Sequence, residues 1–188
     1  MRLATYRSTG IEAAGVVFDD HVVDVGAALG RDPLSMRRLI ELGPLTLADL
    51  RVVLIERPAG VPGARLIAPL PDPGKVVAIG LNYFDHADET SMTQPKEPLV
   101  LAKFPSSIIG PGETMTFDRG LTDGVDVEAE LGVVIARRAR DVLAQDALDY
   151  VLATPASTTC RPVTSSSATA SGCAPRASTR SVPSGRGS

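Results

Sequence analysis

Three carboxylates sit on one predicted strand. Asp126, Glu128 and Glu130 alternate with Val125, Val127, Ala129 and Leu131 in the most regular period-two stretch of the chain, Val125–Ile135. Alternate strand residues project from the same face, roughly 6.5–7 Å apart at the backbone. Like charges that close are unfavourable unless water screens them or a cation bridges them. Hard oxygen donors of this kind suit Mg2+, Ca2+ or Mn2+ better than Zn2+. The same spacing also describes the solvated face of a surface strand, and a bare Glu-x-Glu is more often that. A second pair, His86 and Glu89, is spaced i, i+3. On a helical turn the carboxylate could orient the imidazole as a general base toward water; an exposed ion pair has the same spacing. His21, the only other histidine, follows the turn Asp19-Asp20 and reads as structural.

The elements that must position these residues fall into two segments. Short strands are expected at Arg2–Arg7, Ala14–Phe18 and His21–Val25. A short helix follows over Leu34–Leu42, closed by Gly43-Pro44, and a second runs from Leu45 to about Glu56. The run from Arg57 to Gly63 is rich in turn formers, and residues 1–68 read as a small α+β N-terminal module. The second segment opens with Pro69-Leu70-Pro71-Asp72-Pro73-Gly74 and a buried-strand run, Lys75–Ile79. It continues with a strand at Leu99–Phe104, a Gly-Pro-Gly turn at 110–112 and the acidic strand. A helix over Asp141–Val151 is expected after it, with Asp141 as N-cap.

Composition breaks sharply after residue 153. Residues 1–153 hold all 22 acidic residues and 15 of the 19 Lys and Arg, a net charge of about −7. Residues 154–188 hold four Arg and no Asp, Glu or Lys. Fifteen of these 35 residues are Ser or Thr, four are Pro, and none is Leu, Ile, Met, Phe or Tyr, so disorder is expected there. The acidic body argues against nucleic acid as a partner. No apolar run approaches the ~18–20 residues of a membrane span. The opening Met1-Arg2-Leu3-Ala4-Thr5-Tyr6 lacks the apolar core of a secretory signal, and a cytoplasmic location is the expectation. Both cysteines, Cys160 and Cys173, fall in the tail, so the body needs no oxidising compartment.

Taken together, the run from Gly80 through Asn82, His86 and Glu89, then Lys103-Phe104-Pro105-Ser106-Ser107 with Gly110-Pro111-Gly112, then Val125–Ile135, is similar to the fumarylacetoacetate hydrolase family in residues, order and spacing. The resemblance covers roughly residues 1–152 and favours the functional reading of both pairs. It implies a strand-rich α+β fold, a mixed β-roll preceded by the small module, and a homodimer for the intact member. Glu128 and Glu130 would be two of three carboxylates holding Mg2+ or Mn2+. That ion would chelate the 2-oxo end of a diketo acid and stabilise the enolate released on carbon–carbon cleavage. His86 and Glu89 would activate water, and Lys103 and Ser106 would lie near the substrate. Small 2-oxo or 2,4-diketo acids are the implied substrates, with acylpyruvate-type hydrolysis leading; isomerisation, decarboxylation or hydration are alternatives on the same core.

The resemblance stops after Leu152. The family continues with a Gly-Tyr-Thr segment, an Asn-Asp-Val-Ser-Ala-Arg-Asp motif whose first Asp is the third metal ligand, and an Arg-Ala-Lys-Gly-Phe-Asp segment carrying a lysine. None of these follows here. Restoring one G between the codons for Leu152 and Ala153, with synonyms chosen freely, permits both motifs in order. A single-base deletion is therefore the expected cause, leaving a partial catalytic domain at 69–153 and an out-of-frame tail at 154–188. The chain as written is then a non-catalytic fragment, at most a weak cation binder.

Overall fold

Caps and turns set the first elements. The computed structural model describes residues 1–56, 58–85, 93, 95–120, 122, 124–163 and 177–180. β1 (Leu3–Ser8) and β2 (Ile11–Val17) form a hairpin through Thr9 and Gly10, both with positive φ. β3 (Val22–Asp24) adds to β2. The Asp24 carboxylate accepts from the Ala27 backbone N–H at 2.6 Å and starts the single turn α1 (Val25–Ala28). Ser35 caps α2 (Met36–Leu42) in the same way through the Arg38 N–H. Gly43, at φ 82°, ends α2, and Pro44 opens α3 (Pro44–Val53). A 3-10 turn over Leu54–Glu56 follows. β4 (Arg65–Leu66) returns to the free edge of β1, giving the order β3-β2-β1-β4. Helices and sheet enclose a core of Ala14, Val16, Val23, Val25, Met36, Leu39, Leu50 and Leu54.

The second segment is built almost wholly of strands. β5 (Val76–Gly80) and β6 (Leu99–Lys103) pair antiparallel, with Val76 opposite Lys103 and Gly80 opposite Leu99. A 3-10 turn at Pro105–Ser107 leads into β7 (Ile108–Ile109). Gly110 lies where the two segments meet. A Cβ there would come within 2.9–3.1 Å of backbone atoms of Ile67 and Ala68, so the approach needs glycine. β8 (Gly124–Leu131) carries the acidic residues, and β9 (Val134–Ile135) pairs with β10 (Val151–Ala153). β11 (Ala156–Val163) runs antiparallel to β8 along its whole length, and β12 (Ala177–Arg180) completes the order β7-β12-β11-β8.

Two expectations are corrected. The single strand Val125–Ile135 is two: Gly132 breaks it, its N–H donating to the Pro155 carbonyl at 2.8 Å. The helix over Asp141–Val151 is absent. Asp141 has φ 53° and is no N-cap; Ala144–Tyr150 is a 3-10 segment and Val151 begins a strand. Its amphipathic pattern finds nothing to pack on, since Leu143 and Leu148 are 64% and 80% exposed. In the stretch after 153, whose composition favours disorder, residues 156–163 and 177–180 form β11 and β12. Ladder hydrogen bonds to β8 and the strand propensity of Thr158, Thr159 and Val163 favour the extended backbone there. Pro162 fits because β12 pairs β11 only at 156–158, so Pro162 has β8 alone beside it in the ladder. The remainder of that stretch lies outside the described residues.

Candidate functional site

The acidic strand turns its charges inward. Asp126, Glu128 and Glu130 are half-buried, while Val127, Ala129 and Leu131, on the other face of β8, are exposed. Val127 and Leu131 are each 62% open to solvent. An ordinary surface strand shows the reverse, with apolar residues in and charges out. The three carboxylates are thus less exposed than the side chains that alternate with them from Val127 on. All three take part in interactions with other residues. One partner is Lys103, at the end of β6, whose Nζ lies 3.7 Å from Glu130 Oε1.

The Lys103–Glu130 pairing joins two residues that sequence reasoning singled out separately. No local signal in the chain announces it, because β6 and β8 belong to different sheets. Ser106 is exposed on the 3-10 turn after β6; its neighbour Ser107 is buried and donates to the Phe104 carbonyl at 2.7 Å. His86 and Glu89 lie outside the described residues. The segment leading to them leaves β5 through Leu81, which holds φ 51°, a conformation uncommon for a branched side chain. His21 is structural as read: it stacks on Phe18 at 5.0 Å, with Nδ1 2.7 Å from Asp20 Oδ1.

Among the described residues, no group of three or more His, Cys, Asp or Glu is placed to hold a metal ion. Glu128 and Glu130 supply two carboxylates, and the described residues bring no third metal-ligating group to them. A cavity of about 480 Å3 lies elsewhere, lined by residues that include Met36, Leu47, Leu70, Val134, Leu152 and Pro155. It touches neither Lys103, Ser106 nor the two glutamates. No helix among the described residues is long and apolar enough to cross a membrane.

The sequence and the strand-rich α+β fold have counterparts among known proteins. Residues 75–162 match the family described as fumarylacetoacetate (FAA) hydrolase C-terminal. The mitochondrial oxaloacetate tautomerase of Xenopus laevis is 32% identical over 158 residues, 81% of this chain and 49% of that protein. The solved fumarylacetoacetate hydrolase of Exiguobacterium antarcticum superposes with a TM-score of 0.68 at 28% identity, covering 86% of this chain and 56% of that one. Maleylpyruvate hydrolase of Sphingobium, solved with manganese(II) and pyruvate, shares the fold: TM-score 0.69, 24% identity, 95% of this chain and 65% of that one. Residues 75–162 of this chain carry a fumarylacetoacetate hydrolase family domain. It spans about half the length of the curated relatives it matches.

Proposed function

We propose that the complete protein is a divalent-metal-dependent enzyme acting on small 2-oxo or 2,4-diketo acids, cleaving a carbon–carbon bond of an acylpyruvate by hydrolysis. The observation that carries this reading is the half-buried acidic face of β8, with Lys103 Nζ 3.7 Å from Glu130 Oε1. Glu128 and Glu130 are the metal carboxylates in this reading, His86 with Glu89 the water-activating pair, and Lys103 and Ser106 the substrate contacts. A bound Mg2+ or Mn2+ would supply a Lewis acid for the oxo-acid oxygens. Two carboxylates do not make such a ligand set, so no step is assigned to the ion in this chain. The homodimer and the cytoplasmic location are carried by the family resemblance and by composition alone.

A second reading keeps the site and changes the reaction. The relative named oxaloacetate tautomerase favours proton transfer beside an oxo group over bond cleavage; decarboxylation and hydration belong to the same set. In either case the 188-residue chain is proposed to be inactive, a fragment with uncovered strands: Leu99, Val100 and Leu101, consecutive on β6, are all exposed.

The test compares this chain with the product of a gene carrying one restored G between codons 152 and 153. Each is assayed with an acylpyruvate and with oxaloacetate in Mg2+ or Mn2+. Turnover is expected from the restored-frame product alone, and the preferred substrate separates the two readings. Turnover by the chain as written would refute its inactivity. A folded restored-frame product inert on both acids would refute the enzyme reading.

A further inference from the structure

Two cavities meet at a pair of arginines on the N-terminal module. The larger, about 480 Å3, lies against α2, α3 and β10, and Ile40, Leu47, Leu70, Val134 and Leu152 give it apolar walls. The smaller, about 320 Å3, has Val16, Phe18, Leu54 and Ile55 along it. Met1, Arg2, Val17 and Arg51 line both, so the two are lobes of one groove. Ile40, Leu47 and Leu70 also pack against the module's core, which the larger lobe extends outward to Val134 and Leu152 of the second segment. Sites for small molecules have this size, and they pair apolar walls with a few placed polar groups.

The charge of this groove runs against the rest of the body. Residues 1–153 carry a net charge of about −7, yet among the described residues no Asp or Glu lines either lobe. Arg2 and Arg51 are the charged residues there. Arg2 pairs with Asp19 at 2.9 Å, but the Asp19 side chain is 96% exposed, so water screens that pair and it opens at small cost. Arg51 stands in the last turn of α3, and no carboxylate among the described residues pairs with it. A guanidinium fork matches a planar carboxylate bidentately, and apolar walls strengthen the contact by excluding water. We propose that the groove binds a small amphipathic carboxylate, its apolar chain in the larger lobe and its head on Arg51 and Arg2. The larger lobe touches neither the acidic strand residues Glu128 and Glu130 nor Lys103, so the proposal stands independently of any reaction there. Its walls come from both segments, and a bound ligand ties them together.

The experiment titrates octanoate, and octanol of equal chain length, into the full 188-residue chain by isothermal titration calorimetry. Octanoate should bind at one saturable site, raise the thermal midpoint, and bind about tenfold tighter than octanol, the worth of a hydrogen bond to a charged head. Arg51→Gln should weaken octanoate about tenfold and leave octanol unchanged. Ala153→Trp, which fills the larger lobe from the second segment, should weaken both. Val100→Lys, on the exposed β6, should change neither, which separates the groove from adhesion to uncovered strands. No binding of octanoate, equal affinity for the two ligands, no effect of Arg51→Gln, or loss on Val100→Lys overturns the proposal, as does unchanged binding by Ala153→Trp. If Ala153→Trp does not fold, the ratio of the two ligands and its collapse in Arg51→Gln decide by themselves.

Discussion

Lys103 Nζ and Glu130 Oε1 stand 3.7 Å apart, their side chains 24% and 30% exposed, so the end of β6 is tied electrostatically to the end of β8. Removing the ammonium with Lys103→Met leaves the half-buried acidic face with less compensation. Stability should fall by about 0.5–1 kcal/mol, the range of a partly screened pair. In the restored-frame product, added Mn2+ should recover part of the loss, because a bound cation replaces the missing charge. Urea unfolding with and without Mn2+ checks this, and identical midpoints in both conditions would count against a shared electrostatic site.

Tyr6 donates its phenol proton to Asp24 Oδ2 at 2.6 Å inside the N-terminal module, and the same carboxylate caps α1. Burial pushes the Tyr6 phenol pKa well above its usual range, and the hydrogen bond to Asp24 and that group's negative charge push the same way. Above about pH 10 the unfolded chain sheds a proton that the folded chain keeps, so stability falls as pH rises beyond that point. Tyr6→Phe should cost about 1–3 kcal/mol at neutral pH by stranding Asp24. It should also flatten the alkaline decline, and a decline of unchanged slope in the variant would assign it to other groups.

The outer face of β8 gives a test whose sign depends on what covers it. Val127 and Leu131 are exposed in this chain. Charging them, Val127→Lys with Leu131→Lys, should reduce aggregation of the chain as written, read by light scattering at matched concentration. In the restored-frame product the same pair should lower the thermal midpoint, since that face is then covered. A neutral effect there would mean that nothing packs against it.

Leu50 and Val100 contrast a filled core with an unfinished one. Leu50 is fully buried among the helices and sheet of the module, whereas Val100 is 63% exposed on β6. Leu50→Ala should destabilise the module by about 2–5 kcal/mol, and Val100→Ala should stay within about 0.5 kcal/mol. Denaturant titration followed by far-ultraviolet circular dichroism distinguishes them.

Local pattern by itself determined much of this protein. Ser35, Gly43 and Pro44 mark the ends of α2 and α3 because their backbone demands are local. The alternation of Glu128 and Glu130 with Val127 and Ala129 marks a strand for the same reason. Which face of that strand turns inward depends on what packs against it, and no period-two pattern carries that information. Only the tertiary structure decided that the glutamates are covered and the valine is not. The helix pattern at 141–151 failed because an amphipathic face needs a surface to bury against, and Leu143 and Leu148 have none. Conversely, a Thr-rich stretch that composition marks as disordered becomes β11, because the hydrogen-bonding edge of β8 accepts nearly any backbone. That ladder, formed between residues far apart in the chain, brings Thr159 opposite Glu128. Strand register is a long-range property, and only the folded chain holds it.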